Sequence, residues 1–114
     1  MNNKRVERLI PEAIKLLQKF PKEKVYQGYL AAFGPTVISS GIVQAVAFYS
    51  GDDNKNRVIE LMFKLIKEEI KTDKNRLLDV LNEGENYKNY ALKHTILDAS
   101  IACKLAIRTF ELKD

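Results

Sequence analysis

The sequence predicts an all-α fold: a compact bundle of about five or six helices forming a single domain over residues 1–114. Three observations predict it. Apolar residues recur at spacings of three and four along most of the chain, and no stretch alternates apolar and polar long enough to make a strand. Five Gly and three Pro are few for an all-β chain, which needs many turns. The turn-forming clusters are short and well separated, as helix-to-helix connections of roughly 2–8 residues require.

Val6, Leu9, Ile10, Ala13, Ile14, Leu17 and Phe20 mark a first helix over residues 3–20. Pro11 either kinks it or restarts it from a new first turn, and Phe20-Pro21 ends it. A second helix is expected over residues 22–33, with Val25, Tyr29, Ala32 and Phe33 inward, broken at Gly34-Pro35. Residues 36–49 read as a third helix, apolar on nearly every side and therefore the buried centre of the bundle. Within it Ser39, Ser40 and Gly41 would let a neighbouring backbone come close.

Asp53 or Asn54 is the expected N-cap of an amphipathic helix over residues 55–71, with Val58, Ile59, Met62, Leu65, Ile66 and Ile70 inward. Thr72 or Asp73 should cap a short helix through Leu77, Leu78, Val80 and Leu81 that stops at residues 82–84. Asn86 should cap a last helix over residues 87–112, which is rich in small residues (Ala91, Ala99, Ala102, Cys103, Ala106). There is no internal repeat and no low-complexity segment.

Composition narrows the function classes. With 46% apolar and 30% charged residues the chain is foldable and not a disordered tail. Its 114 residues are too few for two lobes with a cleft between them. One Cys and one His exclude an internal disulfide framework and a His/Cys zinc site. The lone thiol fits a reducing cytoplasm.

The net charge of +4 is unevenly spread: residues 1–24 carry +4, residues 25–53 carry −2, residues 54–76 carry +3 and residues 77–114 carry −1. The uncharged run from Val25 to Gly51 is 27 residues, long enough to cross a bilayer. Gln27, Thr36, Ser39, Ser40 and Gln44, with Pro35 in the middle, suit buried helices better, and no membrane partner is expected. No signal peptide is expected either, because charge interleaves the first apolar residues.

Enzymatic motifs are absent. Gly28, Gly34 and Gly41 are too dispersed for a phosphate loop. Asp52-Asp53 and Glu68-Glu69 are adjacent pairs whose side chains diverge, so neither makes an acid–base or metal site. His94 and Asp98, four apart beside Tyr87 and Tyr90, could form a base oriented by a carboxylate, but no nucleophile accompanies them. A hydrogen-bonded helix pair is the favoured reading. Cys103 reads as a small core residue. No catalytic residue, cofactor or metal is expected.

The basic residues are more informative. Arg5, Arg8, Glu12, Lys15, Lys19 and Lys22 step by 3, 4, 3, 4 and 3 along one side of the first helix. Arg57, Glu60, Lys64, Lys67 or Glu68, Lys71 and Lys74 form a similar row on the fourth. Such rows can follow a phosphate backbone without reading bases. A merely solvated polar face is the competing explanation, and the interleaved glutamates favour it.

The segment Pro35-Thr36-Val37-Ile38-Ser39-Ser40-Gly41-Ile42-Val43-Gln44-Ala45-Val46-Ala47-Phe48-Tyr49 resembles one family: the small all-helical subunit of the type III-B CRISPR (Cmr) RNA-guided effector complex. The features shared are a Pro, an apolar turn, a Gly followed by an aliphatic, then Gln-Ala and an apolar Ala-Phe run. Tyr90, Thr95, Leu97, Leu105, Ala106, Arg108 and Phe110 are similar to that family's last helix. The chain departs in having no Trp, and in keeping only Arg108 of a Lys-Arg pair. The pattern of the related type III-A (Csm) small subunit is not seen over residues 35–49.

The resemblance implies a non-catalytic, cytoplasmic subunit in antiviral defence. Its copies would stack head to tail beside the backbone subunits and near the large subunit, with basic faces toward guide crRNA and target RNA. Candidate RNA contacts are Arg5, Arg8, Lys15, Lys19, Arg57, Lys64, Lys67 and Lys71 from the rows, and Arg108 from the motif. The isolated chain is then expected to bind RNA weakly and without sequence preference. The alternative is a helical protein–protein interaction module that makes no nucleic-acid contact.

Overall fold

Asn2 starts the first helix: its side chain accepts a hydrogen bond from the Arg5 N–H at 3.0 Å, satisfying one of the donors a helix start leaves unpaired. In this computed structural model, which describes residues 2–114, α1 runs Asn3–Leu17 straight through Pro11. Pro11 is exposed, so the carbonyl it leaves without a donor is within reach of water. Val6, Leu9, Ala13 and Leu17 form the buried stripe.

The break expected at Gly34-Pro35 is not there. Helix α2 runs Lys24–Ser40, and the chain breaks at Gly41 instead, before α3 (Ile42–Ser50). Pro35 removes one backbone bond on the exposed side, while Tyr26, Leu30, Phe33 and Val37 bury a continuous stripe across it. Packing of that stripe outweighs the local breaker. The inward stripe is therefore offset from the expected one: Val25 and Ala32 face outward.

Gly41 has φ 94° and ψ 161°, a region essentially restricted to glycine. Its N–H donates to the Val37 carbonyl at 2.8 Å and its carbonyl accepts from Ala45 at 3.0 Å, so one residue ends α2 and begins α3. Ser39 and Ser40 are exposed and admit no neighbouring helix.

Asp52, one residue before the expected cap, starts α4 (Asp53–Ile70) by accepting from the N–H groups of Asn54 and Lys55 at 2.9 and 3.0 Å. Lys71 closes it in a left-handed conformation, φ 53°. Thr72 does not cap the next helix. Its hydroxyl accepts from the Lys74 N–H inside the connecting turn, and neither it nor Asp73 reaches α5 (Leu77–Asn82). Asn86 likewise is no cap: it opens a short 3-10 turn, Asn86–Lys88, and its amide donates to the Val80 carbonyl at 2.8 Å. Asn89 caps α6 (Tyr90–Ile107) by accepting from Leu92 at 3.0 Å.

The central helix is α6 and not the uncharged stretch of residues 36–49. Its small buried residues Ala99, Ser100, Ala102, Cys103 and Ala106 let α1, α2 and α4 close around it. By contrast α3 buries Ile42, Ala45, Val46 and Tyr49 but leaves Phe48 exposed. Asn2 and Arg5 meet Asp98 while Lys22 and Lys24 meet Lys113, so α1 and α6 run in the same direction. Arg5 and Arg8 meet Glu69 at the far end of α4, so α1 and α4 run oppositely. All six α-helices among the described residues contribute to one core. Among the described residues there is no strand, only an isolated parallel bridge between Glu23 and Lys113, and no helix long and apolar enough to cross a membrane.

Candidate nucleic-acid interface

The antiparallel packing of α1 on α4 decides what each basic row can do. At one end the α1 arginines turn toward acids. Arg5 Nη1 donates to Asp98 Oδ2 at 2.9 Å and its Nε lies 3.1 Å from Glu69 Oε2. Arg8 pairs with the other oxygen of Glu69. Asp98 is 1% exposed, so Arg5 neutralises a buried carboxylate. Lys22, further along, donates to the carbonyls of Gln18 and Phe20 at 2.8 and 2.9 Å and lies over the Phe110 ring. These cations are bound within the fold.

The other end is different. The Leu17 end of α1 and the first half of α4 enclose a depression of about 200 Å³ lined by Lys19, Arg57 and Lys64, with Leu16, Phe20 and Leu61 beneath. On the opposite flank of α4 lies a second depression, of about 280 Å³, on whose walls stand Lys64, Lys67 and Arg76. Lys64 and Glu60 border both, so the cations form one ridge along α4.

Among the described residues no carboxylate lies within 4.0 Å of the charged groups of Lys19, Arg57, Lys64, Lys67 or Lys71. Arg57 and Lys64 are seven apart, two helical turns, and share a face, whereas Lys71 follows the end of α4 in its left-handed conformation and lines neither depression. Lys67 lies 5.6 Å over the Phe63 ring.

The remaining candidates are apart from the ridge. Lys15 pairs with Glu12 at 3.4 Å, and Arg108 is exposed at the end of α6, lining neither depression. The structure therefore brings together Lys19, Arg57, Lys64 and Lys67, and does not bring Arg5, Arg8, Lys15 or Arg108 to them. Arg76 joins them although it was not among the sequence candidates. It follows the break after α4, and only the fold returns it to that helix. Its guanidinium pairs with Asp79 at 2.9 and 3.1 Å, which raises its own pKa and lowers that of Asp79.

The His94–Asp98 pair does not form. Asp98 accepts from Arg5 and, at 3.4 Å, from the Asn2 N–H, while the His94 ring packs against Tyr90 with centroids 4.1 Å apart. Cys103 is fully buried, and burial pushes its thiol up to about 12, which leaves it without nucleophilic thiolate at neutral pH. Among the described residues no three His, Cys, Asp or Glu side chains gather as a metal site would require.

The segment Pro35–Tyr49 that carries the family resemblance proves to be the end of α2, the Gly41 joint and α3. A family model for the CRISPR-associated protein Cas_Cmr5 matches residues 1–107. No curated relative and no solved structure matches the chain. With the match running from α1 to the end of α6, the chain belongs to this CRISPR-associated family, the small-subunit family of the type III-B Cmr complexes.

Proposed function

We propose that this protein is a non-catalytic, cytoplasmic subunit of a type III-B effector that holds guide and target RNA against the α4 ridge. One observation carries the reading: Lys19, Arg57, Lys64 and Lys67 stand together with no acidic partner, whereas the arginines at the other end of α1 are consumed by Glu69 and Asp98. Unpaired clustered cations are what a phosphate backbone attracts, releasing counterions as it binds. In this reading cleavage is left to other subunits.

Stacking of copies needs two different patches, one at each end of the bundle. Ile38, 86% exposed on α2, and Phe48, 61% exposed on α3, are apolar side chains available for such contacts. They also favour a second reading, a helical module that docks a protein and touches no RNA. Salt separates the two. With four phosphate contacts on single-stranded RNA, log K for the isolated full chain should fall with log salt at a slope of roughly −3. A flat salt dependence would favour the protein-docking module.

A further inference from the structure

The depression on the Arg76 side of α4 is more than a cationic surface. Its floor is apolar, made by Ile59, Phe63 and Leu77, whose side chains are 3%, 5% and 1% exposed. Its walls add the amides of Asn56 and Asn75, and Lys64, Lys67 and Arg76 stand around it. At about 280 Å³ it is just smaller than typical ligand sites, which span roughly 300–1,000 Å³. That size suits one nucleotide and little more.

Glu60 identifies the chemistry. The Asn56 amide donates to its Oε1 at 2.8 Å and holds the carboxylate at the wall of this depression. Oε2 has no donor among the described residues, and no cation lies within ion-pairing distance of either oxygen. A carboxylate at this point repels phosphate, so a surface serving the backbone alone gains nothing from it. It becomes favourable when the ligand brings an N–H donor. Nucleobases with an exocyclic amino group do so, and carboxylates accept from the cytosine amino group in this way. Unpaired bases of RNA expose that edge to side chains.

We propose that this depression takes the base of an unpaired RNA nucleotide carrying an exocyclic amino group, which donates to Glu60 while Lys64 and Lys67 hold the flanking phosphates. The proposal rests on the RNA reading above and adds a base preference to it, which a phosphate-only ridge lacks.

The test compares labelled oligocytidylate and oligouridylate of equal length, titrated with the full chain and with Glu60→Ala, which removes the acceptor as well as the charge. Glu60 is exposed, so the variant keeps the fold. Oligocytidylate should bind the wild type about fivefold more tightly. Glu60→Ala should abolish that preference while oligouridylate binds as well or better, since a repelling charge is gone. Equal affinities in the wild type, or a preference that survives Glu60→Ala, overturn the pocket. If binding is still salt-dependent in those cases, the ridge stands without it. Failure of the chain to bind either strand overturns both.

Discussion

Changing Lys64 and Lys67 together to Glu is expected to weaken RNA binding by roughly 25-fold or more at about 0.1 M salt, because two lost single-strand phosphate contacts remove about 1.4 from the salt exponent. The reversed charges add repulsion, so this figure is a lower bound. Lys64 is the more important of the two, since it borders both depressions and no acid holds it. The change should cost little stability: Lys64 is exposed, and the contact of Lys67 with Phe63 is worth about 1 kcal/mol at most at such a site. The salt slope of the double variant should be shallower than that of the wild type by about 1.4. Reversal of Arg108, which lies off the ridge, should change binding far less. An assembled complex that holds RNA equally well with both lysines reversed would remove this face from the account.

A substitution at Arg5 should act on stability and not on RNA. Arg5→Met leaves the buried Asp98 carboxylate with only the Asn2 N–H at 3.4 Å and takes one of two arginines from Glu69. Stranding a buried charge costs about 3–5 kcal/mol; the side chain of Arg5 is 23% exposed, so water softens the loss toward about 3 kcal/mol. In a domain this small that lowers the melting temperature by about 10 °C or somewhat more. Asp98→Leu introduced alongside Arg5→Met should recover most of it, since an apolar pair replaces the stranded charge. Arg8→Ala should cost well under 1 kcal/mol, because Arg8 is 59% exposed. Thermal melts of the four proteins check the series. A wild-type-like melt for Arg5→Met would show that Asp98 does not depend on it, and would return Arg5 to the pool of free cations.

The helices were legible because burial leaves a periodic trace: the stripes of α1 and α4 agree with spacings of three and four in the sequence. The errors cluster where two local signals competed. Gly34-Pro35 carries the stronger breaker chemistry, yet Gly41 breaks the chain. The outcome depended on a buried stripe from Tyr26 to Val37 that exists only once α2 has something to pack against. At the helix starts, Asp52 and Asn89 were chosen over equally suitable neighbours one to three residues away. Those choices turn on φ and ψ, which composition does not encode.

The candidate site was half legible. Spacing showed that Arg57 and Lys64 share a face of α4, but not that the helix would stop before Lys71. It could not show that Glu69 and Asp98 would claim Arg5 and Arg8, because the ion pairs span 61 to 93 residues of sequence. Nor could it show that Arg76 would return to the flank of α4. The run from Val25 to Gly51 was uncharged without being central. Mean apolarity says that a helix can be buried, while the small side chains of α6 decide which helix other helices can surround.

The most direct measurement is ultraviolet crosslinking of the assembled effector carrying its guide RNA, with crosslinked peptides of this subunit identified by mass spectrometry. The account predicts adducts along α4 between residues 57 and 67, and beside Lys19 and Arg76. Adducts confined to α3 or the Arg8 end of α1, or a subunit that takes none while its neighbours are labelled, would contradict it.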